Sequence, residues 1–324
     1  MLKTDEFSII SDIFAPLTKH YSGALELTDD AALIDAPNGH QWVITTDSIV
    51  EGIHFLKKDS PDLIARKLVR VNLSDLAAMG AKPFAILLAT CFSKDITKEW
   101  VELFASGIKR DCEEFSLVLI GGDTVATNGP LTFTMTAIGS LKTQSALLRS
   151  NARLGDDIWV SGTIGDAAFG LMIEQNEIQS LDLESKNQLL SRYQLPLPRT
   201  SLGQSLVGIA HAAIDISDGL VGDLEHICKT SSVGAEIKIT KIPLSDAVKK
   251  ALKFGNIERV LTGGDDYELL FSASFDQVRS INIIGQELGL RLTIIGKIKD
   301  QDGVSVIEKD GHVISLKERG YQHF

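Results

Sequence analysis

Six short segments place aspartate beside glycine, serine or threonine, a mixture suited to hard cations and phosphates. They are TDDAA with Asp29 and Asp30; TTDSIVEGIHF with Thr45, Thr46, Asp47 and His54; and NLSDLAAMGA with Asn72 and Asp75. GGDT with Gly122 and Asp123, DISDGL with Asp215, Ser217 and Asp218, and GGDDYE with Asp265, Asp266 and Glu268 complete the set. Two like charges about 4 Å apart repel by roughly 4 kcal/mol at an effective dielectric near 20. Several carboxylates gathered without a cation would threaten a fold worth only about 5–15 kcal/mol. Either these acids stay apart or hard cations sit among them. Aspartate and threonine oxygens suit Mg²⁺, which keeps several waters and is commonly shared with substrate phosphates.

Taken singly, each motif has a plainer reading. GGDT can be a turn with an Asx cap, Asp75 a solvated helix residue, and Asp218-Gly219 the cap of the next helix. His54 alone reads as a surface or core-edge histidine, and GGDDYE as a loop entering a strand. Met79 and the stripe through Phe104 belong to the core. The usual phosphate binders are missing: there is no GxxxxGK[ST], no strand followed by GxGxxG, and no HRD with DFG. HExxH is absent too, and no histidines pair at metal-ligand spacing. Nucleotide chemistry here must use another scheme, in which metal supplies the positive charge.

The elements that must position these residues follow from hydrophobic spacing. Phe7, Ile10, Phe14 and Leu17 predict a helix over 6–17, and Gln41 to Asp47 a strand ending on a carboxylate. Ser60-Pro61-Asp62 reads as a helix start, with the helix running to Gly80; Asn72 and Asp75 then share one face. Phe84 to Cys91 reads as a buried strand, and Val101, Phe104, Ile108, Cys112 and Phe115 line one face of a helix. Leu117 to Ile120 reads as a short strand entering the glycine pair, and Leu131, Phe133 and Met135 as a half-buried strand. Later segments suggest strands at 158–161, 212–216 and 267–271, helices after Gly165-Asp166 and from Gly219, a linker at Leu195–Pro198 and a hairpin at Asp310-Gly311. Without a regular β-α-β rhythm the class is α/β of the α+β type, mixed sheets with helices on one face.

The 324 residues suit two domains, with a boundary in the polar stretch 140–157, giving 1–140 and 141–324. Hydrophobic residues at 44% and charged residues at 23% exclude a disordered or collagenous chain. A net charge of −11 with no long basic run argues against nucleic acid and anionic membranes as partners. The N-terminus lacks an apolar signal region, and the most apolar stretch, Pro83 to Phe92, is too short to span a bilayer. Three widely spaced cysteines without CxxC give no disulfide framework, so a cytoplasmic location is expected.

The ordered series TTDSIVEGIHF, NLSDLAAMGA, GGDT, RSNARLGDDIWVSGTIGDAA, AAIDISDGL, GGDDYEL and GYQHF strongly resembles the thiamine-monophosphate kinases, over essentially the whole chain. That family lies in the aminoimidazole-ribonucleotide-synthetase-like superfamily. The resemblance implies two α/β domains, dimerisation through the N-terminal sheet, and ATP held with several Mg²⁺ ions in a cleft near the interface. Carried over by position, it implies Asp30, Thr45, Thr46, Asp47, Asp75, Asp123 and Asp215 as magnesium ligands, with Asp218 for a further ion. It implies ATP contacts from Gly122, Asp123, Arg149 and Ser217, and thiamine monophosphate contacts from His54, Asp265 and Tyr321. Thr28 replaces the usual Gly before the Asp pair, Asn151 stands where Gly is common, and Asp265 where Glu is frequent, with a shorter reach.

The implied reaction is direct in-line transfer of the γ-phosphoryl group of ATP to thiamine monophosphate. The acceptor phosphate has a second pKa near 6 and is largely dianionic at pH 7, so no catalytic general base is expected. Two other readings stay open at this level: an enzyme like aminoimidazole ribonucleotide synthetase, and a non-catalytic Mg-nucleotide-binding regulator. Selenophosphate synthetase would need an N-terminal reactive cysteine, and the first cysteine here is Cys91. The hydrogenase-maturation relative ends in a functional cysteine, whereas this chain ends in Phe324.

Overall fold

The computed structural model describes residues 10–11, 15–18 and 21–321. Most of the expected helix over 6–17, and Gln322–Phe324 of the terminal motif, lie outside the described residues. The first half contains β1 (Ala32–Ala36), β2 (His40–Val50), α1 (Pro61–Ala78), β3 (Lys82–Ser93), α2 (Lys98–Phe115), β4 (Val118–Thr127) and β5 (Thr132–Lys142). Its sheet runs β1-β2-β5-β3-β4, antiparallel except for the parallel β3–β4 pair. On β5, Phe133, Met135 and Ala137 are buried while Thr132, Thr134 and Thr136 are only half-buried, the alternation expected of a sheet covered on one face.

The second half follows as β6 (Asp157–Ser161), α3 (Asp166–Glu174), α4 (Leu183–Gln194), α5 (Thr200–Leu206), β7 (Ala212–Asp215) and α6 (Leu220–Ser231). It continues with β8 (Gly234–Lys238), α7 (Asp246–Ala251), α8 (Ile257–Thr262), β9 (Leu269–Ala273), α9 (Val278–Glu287), β10 (Leu292–Lys299) and β11 (Val304–Ile307). Its sheet runs β11-β8-β10-β6-β9-β7, and only β11–β8 is parallel.

Helix α1 positions the site because it belongs to both halves. Pro61 opens it, and Gly80, at φ 73°, closes it in a conformation that favours glycine. Ser60 stands at the expected cap position, but its hydroxyl bonds Asp62 rather than a helix N–H. One side of α1 packs Ile64, Leu68 and Leu76 into the first core; the end packs Ala77 and Ala78 beside Trp159, Leu202 and Phe271 of the second half. The approach to α5 is backbone-close: a Cβ on Gly203 would lie 2.0 Å from the Ala77 carbonyl oxygen.

Two readings of the sequence need correction. GGDT is not a turn but the middle of β4, where Gly122 pairs with Leu88 and a Cβ would sit 1.8 Å from the Leu88 oxygen. Leu195–Pro198 is not a loose linker: Pro196 and Pro198 are buried, and the Pro196 carbonyl accepts from Arg70 at 3.1 Å. The Asp310-Gly311 turn does form, closed by Glu308 N donating to His312 O at 2.8 Å, with a single Ile307–Val313 bridge.

Candidate functional site

Strand alternation on β2 turns Thr45 and Asp47 toward α1, where Asn72 and Asp75 share the facing side of the helix. Thr45 Oγ1 donates to Asp75 Oδ2 at 2.6 Å, and the Asp47 N–H donates to Asn72 Oδ1 at 3.1 Å. Asn72 is itself oriented, its amide donating to the Leu68 carbonyl at 2.9 Å. The loop before β1 brings Asp30, and the end of β7 brings Asp215. One carboxylate oxygen from each of Asp30, Asp75 and Asp215 lies within 4.8 Å of the others. The three acids come from segments 45 and 140 residues apart in the chain, so only the tertiary fold unites them.

The electrostatics leave the gathered carboxylates short of positive charge. Burial pushes Asp75 well above the ordinary carboxylate range, and Asp47, Asp215 and Asp30 add repulsion that the Thr45 hydroxyl only partly relieves. Burial and Asp30 likewise raise Asp215, and the same two causes push Asp47 up to about 6. Arg149 supplies a counter-charge, its Nη2 and Nε donating to the two Asp30 oxygens at 2.6 and 3.1 Å. Burial opposes the Arg149 charge, but Asp30 more than offsets this and holds the guanidinium protonated beyond its usual range. The Arg149 N–H also donates to Asp29 Oδ1 at 2.8 Å, and burial pushes Asp29 up to about 6. Hard oxygen donors in excess of positive charge fit divalent cations of the Mg²⁺ kind.

A pH prediction follows from the sign of these shifts. Carboxylates raised above their ordinary value of 3.8 favour the folded state only while protonated. The ion-free protein therefore loses stability as pH rises from about 4 through about 6 and beyond. Melting curves in chelator should show a lower Tm at pH 7.5 than at pH 5, and millimolar Mg²⁺ should raise Tm at pH 7.5 with little effect at pH 5. Equal Mg²⁺ stabilisation at both pH values would contradict it.

Thr46 is not brought to this cluster by its side chain. It faces the opposite side of the sheet, and Oγ1 donates to the Met135 carbonyl at 3.0 Å. Gly122 and Asp123 are separated from it as well. Asp47, Met135, Leu88 and Gly122 are register partners across four strands, so about 14 Å of sheet lies between Asp47 and the GGD segment. Asp123 is exposed, with Oδ1 accepting from the Thr124 N–H at 2.8 Å.

The remaining expected residues gather at the junction of the DISDGL and GGDDYE loops. Asp223, absent from the sequence expectations, organises the first loop: one buried oxygen accepts from the N–H groups of Ser217, Asp218 and Gly219 at 3.1, 3.2 and 3.1 Å. Its place in the first turn of α6, four residues after Gly219, is the capping signal that sequence reading passed over. The second loop lies on the first, with Asp265 N donating to Ser217 O and Tyr267 N to Ile216 O, both at 2.8 Å. The chain's end returns here too, Tyr321 N donating to Asp218 O at 2.9 Å. His54 Nδ1 accepts from the Val50 N–H at 3.1 Å, which leaves the ring hydrogen of a neutral imidazole on Nε2.

Within GGDDYE, Asp266 and Glu268 are taken up by contacts inside the protein. Asp266 is buried and accepts from the N–H groups of Gly165 and Ala167, capping α3 at 2.6 and 3.1 Å. Glu268 is buried among cations, accepting from Arg192 Nη2 at 2.7 Å, Arg199 Nε at 2.6 Å and Ser161 Oγ at 2.5 Å. Glu268→Ala strands two guanidinium groups, and urea unfolding should show a loss of about 3–5 kcal/mol. A loss within 1 kcal/mol, on the order of an exposed pair, would contradict this account of Glu268.

Two family models match the chain: AIR synthase related protein, N-terminal domain, over residues 28–141, and AIR synthase related protein, C-terminal domain, over residues 153–309. The thiamine-monophosphate kinase of Escherichia coli K12 is 39% identical over 322 residues, 98% of each chain. That of Bacillus subtilis is 34% identical over 326 residues, 99% of each chain. Among solved structures, AaThiL complexed with AMPPCP and TMP superposes with a TM-score of 0.86 at 30% identity, covering 99% of this chain and 97% of that one. Thiamine-monophosphate kinase from Stenotrophomonas maltophilia gives a TM-score of 0.79 at 40% identity, covering 95% and 98%. The hydrogenase maturation protein HypE of E. coli, at 18% identity and a TM-score of 0.73, shares the fold.

Proposed function

The chain belongs to the thiamine-monophosphate kinase family, and from that premise we propose that it transfers the γ-phosphoryl group of ATP directly to the phosphate of thiamine monophosphate, yielding thiamine diphosphate and ADP. The observation that carries the reading for these residues is the convergence of Asp30, Asp75 and Asp215. Those three, with Asp47 and Thr45, would hold Mg²⁺, and Asp218 would hold a further ion on the loop shaped by Asp223. Bound there, Mg²⁺ would supply the positive charge that offsets repulsion between the donor and acceptor phosphates. Arg149, Ser217, Gly122 and Asp123 would bind ATP, and His54, Asp265 and Tyr321 the acceptor. The His54 imidazole would suit a phosphate oxygen or a pyrimidine nitrogen of the acceptor. No side chain needs to remove a proton, since the attacking phosphate is already dianionic.

The separation of Asp123 from Asp47 supports a homodimer whose site is completed by a second copy. Strand β4 ends the sheet and is exposed along nearly its whole length, with Val118 54%, Ile120 55% and Val125 50% accessible. A long apolar edge of this kind is ordinarily paired or covered. Strand β4 is the surface a second copy would cover, and the GGD segment it carries lies about 14 Å from Asp47 within one chain. In this arrangement residues 1–140 supply the dimer sheet and most cation ligands, and 141–324 complete the nucleotide and acceptor pockets. The −11 charge suits metal-bridged anions and not nucleic acid, and three unpaired cysteines suit a cytoplasmic setting. No helix among the described residues is long and apolar enough to cross a membrane.

The test is incubation of purified protein with Mg²⁺-ATP and thiamine monophosphate, followed by chromatography of the thiamine phosphates. Thiamine diphosphate in step with ADP is expected. ADP without it would contradict the acceptor assignment and turn attention to formylglycinamidine ribonucleotide.

A further inference from the structure

Lys67 is a buried cation that none of the acidic motifs contains. Its side chain is 4% exposed in the middle of α1, where a lysine is costly unless paired. The ammonium donates to the His54 carbonyl at 3.1 Å and to Asp265 Oδ2 at 3.2 Å, and lies 4.1 Å from the centroid of the Tyr193 ring. Two oxygens and one aromatic face thus account for its three N–H donors. These partners come from three separate segments: the loop after β2, helix α4 and the GGDDYE loop. Asp265 holds a backbone φ of 71° and Tyr267 one of 49°, uncommon for residues with a side chain and maintained where surroundings over-determine them. At 26% exposure the Asp265 carboxylate reaches solvent on one side while Lys67 holds it from the buried side.

We propose that Lys67 is the positioning residue of the acceptor pocket, holding the Asp265 carboxylate and the His54 backbone in one arrangement so that thiamine monophosphate meets a preformed surface. This deepens the functional reading above and rests on its placing of His54 and Asp265 at the acceptor. The pairing also sets the local charge. Asp265 alone would present a full negative charge to an acceptor that carries a cationic ring and a dianionic phosphate; the Lys67–Asp265 pair carries no net charge and presents an oriented hydrogen-bond acceptor. A Glu at this position would reach farther, so the shorter Asp makes the grip from behind more consequential.

The test uses steady-state kinetics on the full-length protein with Lys67→Met, Asp265→Asn and the double variant. Loss of a charge-assisted contact predicts that Lys67→Met raises KM for thiamine monophosphate at least about tenfold, with KM for ATP changed by less than about twofold. Because Lys67 acts through Asp265, the double variant should be no worse than the poorer single variant. Lys67→Gln, which keeps donors without charge, gives the same readout should the Met variant fail to fold. An unchanged acceptor KM, an equal rise in both KM values, or multiplicative effects in the double variant would overturn the inference while leaving the functional reading intact. If the wild-type protein itself fails to convert thiamine monophosphate, the functional reading falls first and this inference with it.

Discussion

Asp47→Asn should lower turnover by about 10²–10³-fold while making the ion-free protein more stable at neutral pH. The two effects have one cause. Asp47 is pushed up to about 6 by burial and by Asp30, so at pH 7.5 it is mostly ionised and faces repulsion from its neighbours. Asparagine removes that charge without disturbing the strand, because the contact to Asn72 is made by the Asp47 backbone N–H. A structural role would predict loss of both activity and stability. Turnover at saturating Mg²⁺, ATP and thiamine monophosphate, together with Tm in chelator, separates the two. Near wild-type turnover in limiting Mg²⁺ would remove Asp47 from the site.

Asp123→Asn should also abolish most turnover, by about 10²-fold or more, although Asp123 is exposed and three strands from Asp47 within one chain. If a second copy supplies it, two inactive variants can complement each other. Mixed, reassorted Asp47→Asn and Asp123→Asn chains form about half heterodimers, each with one site free of either substitution, so activity should return to about a quarter of wild type. No recovery after verified subunit exchange would show that each site is completed within its own chain. Full activity of Asp123→Asn alone would remove the residue from the chemistry.

Much of this site was legible because its signals are local. Asn72 and Asp75 are three apart on a helix and do face the same strand, and period-two alternation on β2 carries Thr45 and Asp47 to that helix. The same alternation carries Thr46 away, which a reading of TTD as one ligand cluster overlooks. The helix of Phe104 and Ile108 formed as expected because its apolar face has a partner in the aromatic group around Phe133. Paired glycines usually punctuate, which gives GGDT its plainer reading as a turn; here Gly122 is needed for the close approach of β4 to Leu88. Strands β8, β10 and β11 are harder to read because their partners lie far apart in sequence, Gly296 pairing with Ile237 and Val304 with Ala235. Lys67 gives no such local signal, because its contact to Asp265 spans 198 residues and only tertiary packing creates it.

The most direct measurement is to follow γ-³²P from ATP in the presence of thiamine monophosphate, with Mg²⁺ and then with chelator. Direct transfer at the carboxylate site predicts that label passes to thiamine diphosphate at the rate ADP forms, that chelator abolishes it, and that no label remains on the protein after ATP alone. Label retained on the protein, released only as inorganic phosphate, or transferred equally well without a divalent cation would contradict it.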